Sequence, residues 1–103
     1  MEEKTFYTYM LLTEHGTYYC GYTDDIEKRY KKHCDGLGAK YTRANKPIKI
    51  AFLESFSDKS SAMKEEIRIK NLKRMEKENL INNFVKNASE LYNLARKITL
   101  QNI

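Results

Sequence analysis

The stretch FYTYMLLTEHGTYYCGYTDD, residues 6–25, decides the fold. Phe6 to Leu12 is an apolar, aromatic run with strand character. Glu14-His15-Gly16 is a turn signal. Thr17 to Tyr22 is a second strand, rich in the Tyr and Thr that suit a pleated, half-buried surface. Two short strands joined by a few turn residues predict a β-hairpin. Thr23-Asp24-Asp25 then supplies a helix start. Asp24 with Glu27 three residues later fits a capping pair, and acidic side chains suit the positive end of a helix. The helix runs to about Cys34, and Gly36 and Gly38 end it.

Beyond the hairpin and its helix, Asp35 to Pro47 reads as a loop holding two glycines, Tyr41 and the only proline. Ile48 to Phe56 reads as a third strand, with Ile48, Ile50 and Phe52 on one face. Ser57 to Ser61 is rich in helix-capping residues, and helices are predicted over about 60–71, 74–85 and 89–98. In the last of these, Leu91, Leu94, Ala95 and Ile98 make an amphipathic stripe, which packs on the domain or meets a partner, a second copy included. The expected order is β-β-α-β-α-α-α in an α/β or α+β domain, with a core domain over residues 1–85 and a C-terminal helical extension over 86–103.

Composition narrows the function classes. A hydrophobic content of 41% is that of a folded globule rather than a disordered tail. No apolar run approaches the roughly 20 residues that cross a bilayer, and the acidic start Met1-Glu2-Glu3-Lys4 has no signal-peptide pattern, so a cytoplasmic protein without a membrane partner is expected. Cys20 and Cys34 lack the spacing of a zinc site or a disulfide framework. Between Lys28 and Lys49 lie eight basic residues and one acid, so that segment is more positive than the whole chain at +5. Such a block suits a polyanion, because each neutralised phosphate releases counterions, and equally suits a solvated basic surface.

Two positions carry chemistry. On a helical wheel Glu66 falls within the face of Ala62, Met63, Ile67 and Ile69. A carboxylate there costs several kcal/mol unless paired or bound to a cation. Lys70, one turn on, offers the plain ion pair, and a metal is the other reading. Arg29 and His33 are four apart and so share a face, beside Ile26 and Tyr30, where they could clamp a phosphate or form an ordinary surface pair. Tyr9 and Tyr19 sit in the middle of the two strands, and Tyr41 in the basic loop, where an aromatic can stack on a base.

Taken together, the order resembles the GIY-YIG nuclease superfamily. Tyr7-Thr8-Tyr9 and Tyr19-Cys20-Gly21 correspond to its paired tripeptides, followed by Arg29, His33 and Glu66 in order. Tyr19 to Asp24, Gly36 to Arg43 and Glu66 to Leu72 look like its small single-domain bacterial branch. The resemblance spans about residues 5–82. It departs where several members carry an asparagine about twelve residues after the glutamate; here Glu78 is followed by Asn79.

The resemblance implies a three-stranded antiparallel sheet flanked by helices and a one-step hydrolysis of DNA, with RNA left open as substrate. It implies one Mg²⁺ or Mn²⁺ on Glu66, with Tyr9 as general base, its phenol pKa lowered by Arg29, lysines and the cation. Tyr19 would orient the water or Tyr9, Arg29 would bind the phosphate, and His33 would hydrogen-bond to Tyr9 or relay its proton. Gly21 would let the nucleic-acid backbone approach. Lys32, Lys40, Tyr41, Arg43, Lys46 and Lys70 would grip flanking DNA. The competing readings are a nucleic-acid-binding module that does not cut and a protein-interaction domain docking through its last helix.

Overall fold

The computed structural model describes residues 4–87 and 89–103. The chain order is β1 (Phe6–Thr13), β2 (Tyr18–Thr23), α1 (Ile26–Cys34), α2 (Lys40–Ala44), β3 (Pro47–Phe56), α3 (Lys59–Lys70), α4 (Arg74–Asn87) and α5 (Glu90–Gln101). The strands form one antiparallel sheet in the order β2-β1-β3. The first strand is therefore central, and helices cover both its faces. That is why Thr8, Tyr9, Met10 and Leu11 are all buried rather than alternating with polar residues. Gly16, at a φ of 75°, closes the hairpin turn in the left-handed region that glycine enters freely.

Each sheet face has its own core. Tyr9, Leu11, Ile50 and Leu53 pack with Ile26 and Tyr30 of α1 and with Ala95 and Ile98 of α5. Met10, Cys20 and Phe52 pack with Ile69 of α3 and with Leu80, Ile81 and Phe84 of α4. The stripe on α5 is thus consumed inside the fold, and Ile50 N donates to Thr99 Oγ1 at 3.1 Å to fasten it. Of the two expectations for this stripe, packing on the domain is the one the fold displays.

Several local expectations are corrected. The 35–47 segment is not all loop: five residues form α2, too few to show a helical period. Ile48, Ile50 and Phe52 do not share a face. A register shift pairs Ile50 with Leu11 but Phe52 with Met10, on opposite faces, and Ile48 is exposed. The cap of α1 is Asp25, whose carboxylate accepts from Lys28 N at 3.1 Å, while Asp24 pairs with Lys4 at 3.0 Å. On α3 the inward residues are Ala62, Glu65, Glu66 and Ile69, and Met63 and Ile67 face solvent. The inward arc thus runs through Glu65 rather than Met63 and Ile67, and Thr8 Oγ1 donates to Ala62 O at 2.7 Å where α3 meets β1.

Candidate active site

A cleft of about 520 Å³ opens where β1 begins and β2 ends. Tyr9 of β1, Tyr19 and Gly21 of β2, Arg29 of α1 and Glu66 of α3 all line it, with Lys59 and Asp24 at its walls. Glu66 reaches it although α3 packs on the opposite sheet face from Tyr9, because β2 is an edge strand. The hairpin, the helix that follows it and the distant α3 thus converge on one solvent-open space.

Tyr9 is 2% exposed and its hydroxyl lies 2.8 Å from His33 Nε2. The imidazole, 1% exposed, sits behind the phenol rather than in the cleft, so it does not reach a phosphate beside Arg29. Its other nitrogen, Nδ1, lies 2.8 Å from Thr42 Oγ1. Burial, and behind it the charge of Arg29, pull the imidazole down to about 4, so it is neutral at physiological pH. Burial first, and then neighbouring Tyr19, push the Tyr9 phenol well above the ordinary tyrosine range. Arg29 pulls the other way and, among the protein's own groups, is outweighed.

Two glycines hold this pair. A Cβ on Gly21 would fall 2.5 Å from Tyr9 Oη, and one on Gly38 would fall 2.5 Å from His33 Nδ1. Gly21 therefore makes room for the phenol of its own cross-strand partner, Tyr9. Tyr19 lies at the centre of an aromatic group. Its ring is 5.1 Å from that of His33 and stacks on Tyr41 at 6.1 Å. Tyr41 in turn donates to Thr17 Oγ1 at 2.7 Å.

The basic block divides. Lys28, Arg29 and Lys32 line a shallow groove continuous with the cleft through Thr23 and Asp24. Lys40, Tyr41 and Arg43 are exposed on α2. Lys46 is also exposed, its backbone N–H donating to Glu14 at 2.9 Å. Lys70 pairs with Glu66 at 3.8 Å. Neither Glu78, paired with Arg74 at 3.3 Å, nor Asn79 lines the cleft. Sequence reasoning missed Thr42, the role of Gly38, and Lys59. Lys59 was within reach: it precedes Glu66 by seven residues, two helical turns along one face.

Among the described residues no three His, Cys, Asp or Glu side chains converge as a cation cage. Glu66 is nevertheless a suitable single ligand for a hard divalent ion. Its side chain is 17% exposed, it faces the cleft, and its contact with Lys70 is loose. Such an ion takes oxygen ligands and keeps several waters, so one carboxylate can hold it when a substrate phosphate supplies further oxygens.

A sheet-borne tyrosine pair, a helix-borne arginine and a carboxylate arriving from across the edge strand define a recurring class of site. The family model described as the GIY-YIG catalytic domain matches residues 5–79, and the chain belongs to that family. The UPF0213 protein of Bacillus licheniformis is 49% identical over 81 residues, covering 79% of this chain and 84% of the relative. A UPF0213 protein of Halobacterium salinarum is 47% identical over 74 residues, 72% of this chain and 96% of the relative. The solution NMR structure of the UPF0213 protein from Bacillus halodurans is similar with a TM-score of 0.50 at 41% identity, covering 76% of this chain and 83% of that one. The family match ends within α4, so α5 lies beyond it.

Proposed function

We propose that this protein is a divalent-metal-dependent endonuclease that hydrolyses phosphodiester bonds in DNA, in repair or processing. The observation that carries this reading is the single open cleft shared by Tyr9, Tyr19, Arg29 and Glu66. Arg29 binds the scissile phosphate with charge-assisted hydrogen bonds and neutralises charge as it builds there. Tyr19, at the cleft wall, orients the attacking water. Glu66 would hold one Mg²⁺ or Mn²⁺, which when bound stabilises the charge on the phosphate and on the departing oxygen.

Tyr9 is the general base, and in the metal-free protein burial and Tyr19 keep its phenol protonated. Its Oη takes a proton from the water as its own proton moves toward His33, 2.8 Å away. The water oxygen bonds to phosphorus, the bond to the leaving oxygen breaks and solvent protonates that oxygen. His33, a weak base, then gives its proton back through Tyr9 to solvent in the cleft, restoring the resting pair. Lys32, Lys40, Tyr41 and Arg43 hold the flanking polymer, which positions it without reading its sequence. A non-cutting binding module explains the basic surface but not Glu66, whose carboxylate would repel a phosphate unless a cation lay between them.

The test is cleavage of a panel of duplex, nicked, flapped, branched and single-stranded DNA with Mg²⁺ or Mn²⁺, each against a chelator control. Metal-dependent strand scission of at least one substrate is expected. Binding without scission across the panel, with both metals, contradicts the proposal.

A further inference from the structure

The buried hydroxyl of Thr42 takes no part in the reaction described above, yet it touches the imidazole that hydrogen-bonds to the Tyr9 hydroxyl. Its Oγ1 lies 2.8 Å from His33 Nδ1 and 3.2 Å from Ala39 O. A threonine hydroxyl has one proton and a carbonyl has none to give. If that proton pointed at His33, the hydroxyl and the Ala39 carbonyl would face each other lone pair to lone pair inside the fold. If it points at Ala39 O, both contacts are hydrogen bonds, and His33 Nδ1 must carry the imidazole's proton. Nε2 is then a bare lone pair, and the Tyr9 hydroxyl is the donor in the 2.8 Å contact between them.

We infer that Thr42 is a positioning residue that fixes the tautomer of His33, so that the imidazole accepts from Tyr9 rather than donating to it. The consequence for catalysis rests on the nuclease reading; the proton's location is a property of the free protein. The direction matters because a tyrosine can take a proton from water only if its own has somewhere to go. In the other tautomer Nε2–H would donate to Tyr9 Oη, and the relay would be blocked at its first step. Thr42 is the inward residue of α2, whose outward residues are Lys40, Tyr41 and Arg43. The short helix therefore joins the basic surface to the histidine, and a polymer seated on its outer side bears on the element that holds His33.

The decisive experiment is a long-range ¹H–¹⁵N NMR spectrum of the uniformly labelled full chain, without substrate, for the parent and for Thr42→Val and Thr42→Ser. The parent is expected to show His33 protonated at Nδ1 and bare at Nε2. Thr42→Val, nearly the same shape but unable to accept, is expected to move the proton to Nε2, and Thr42→Ser to keep it at Nδ1. On a cleaved substrate, Thr42→Val should lower kcat about 10²-fold, the small end of a general-base contribution, with KM little changed and Thr42→Ser restoring the rate. A parent spectrum with the proton on Nε2 overturns the assignment, whether or not either variant folds. So does Thr42→Val with an unmoved proton. If the parent cuts nothing, the nuclease reading falls, while the spectra still decide what Thr42 does.

Discussion

Gly21→Ala is the substitution whose effect is most directly worked from the geometry. Gly21 has no positive φ, so backbone strain is not at issue. The added methyl would meet Tyr9 Oη at 2.5 Å and Cζ at 2.6 Å, where ordinary contact begins at 3.4 Å. The phenol, buried between β2 and α1, must retreat by roughly 1 Å, a misplacement that at a reacting group costs on the order of 10²-fold in rate. Overpacking costs about 1–3 kcal/mol. Breaking the bond to His33 leaves a buried nitrogen unpaired, for about 1–3 kcal/mol more. In a domain of this size the sum lowers Tm by about 10 °C or more. Thermal denaturation, cleavage and DNA affinity measured on the same preparation check all three. A Gly21→Ala protein as stable as the parent but weaker in DNA binding would refute the packing argument and restore the view that Gly21 makes room for the polymer.

Other outcomes follow from the same contacts. His33 should stay neutral as acid is added: its ring resonances should hold from pH 7 to pH 5 and move only on approach to about 4, and an inflection above pH 6 contradicts its burial against Tyr9. Tyr9→Phe should lower the cleavage rate by about 10²–10⁴-fold and Tyr19→Phe by less; the reverse order would make Tyr19 the base. Deleting residues 86–103 removes Ala95 and Ile98 from the core and should destabilise the fold by about 3 kcal/mol or more in urea, whereas a truncated chain of parental stability would make α5 an appendage.

How much was legible in the sequence follows from how far each signal reaches. The hairpin was readable because its strands and turn are contiguous, and Tyr9, Tyr19, Arg29 and Glu66 because their order and spacing match a known pattern. Glu66 also stood out physically, as a charge on an inward face. Thr42 gave no such sign. Its partner is nine residues away across two glycines, and a threonine in a loop-like segment looks ordinary until α2 turns it inward. Gly38 was read as a helix stop, since nothing local reveals that a histidine ring occupies the space of its missing Cβ. Ile50 and Phe52 were assigned one face because strict alternation was assumed, and the register shift at β3 belongs to the pairing with β1 rather than to the strand itself. The phenol's rise came from burial, which outweighs Arg29 and which no reading of neighbouring charges anticipates.

In the proposed reaction Glu66 serves hydrolysis rather than packing. Single-turnover cleavage by Glu66→Gln, with DNA binding measured on the same protein, tests it most directly, because the amide keeps the shape and removes the charge. The rate should fall about 10²-fold or more with affinity changed little. A Glu66→Gln protein that cuts as fast as the parent would leave the carboxylate as a partner for Lys70 and nothing else.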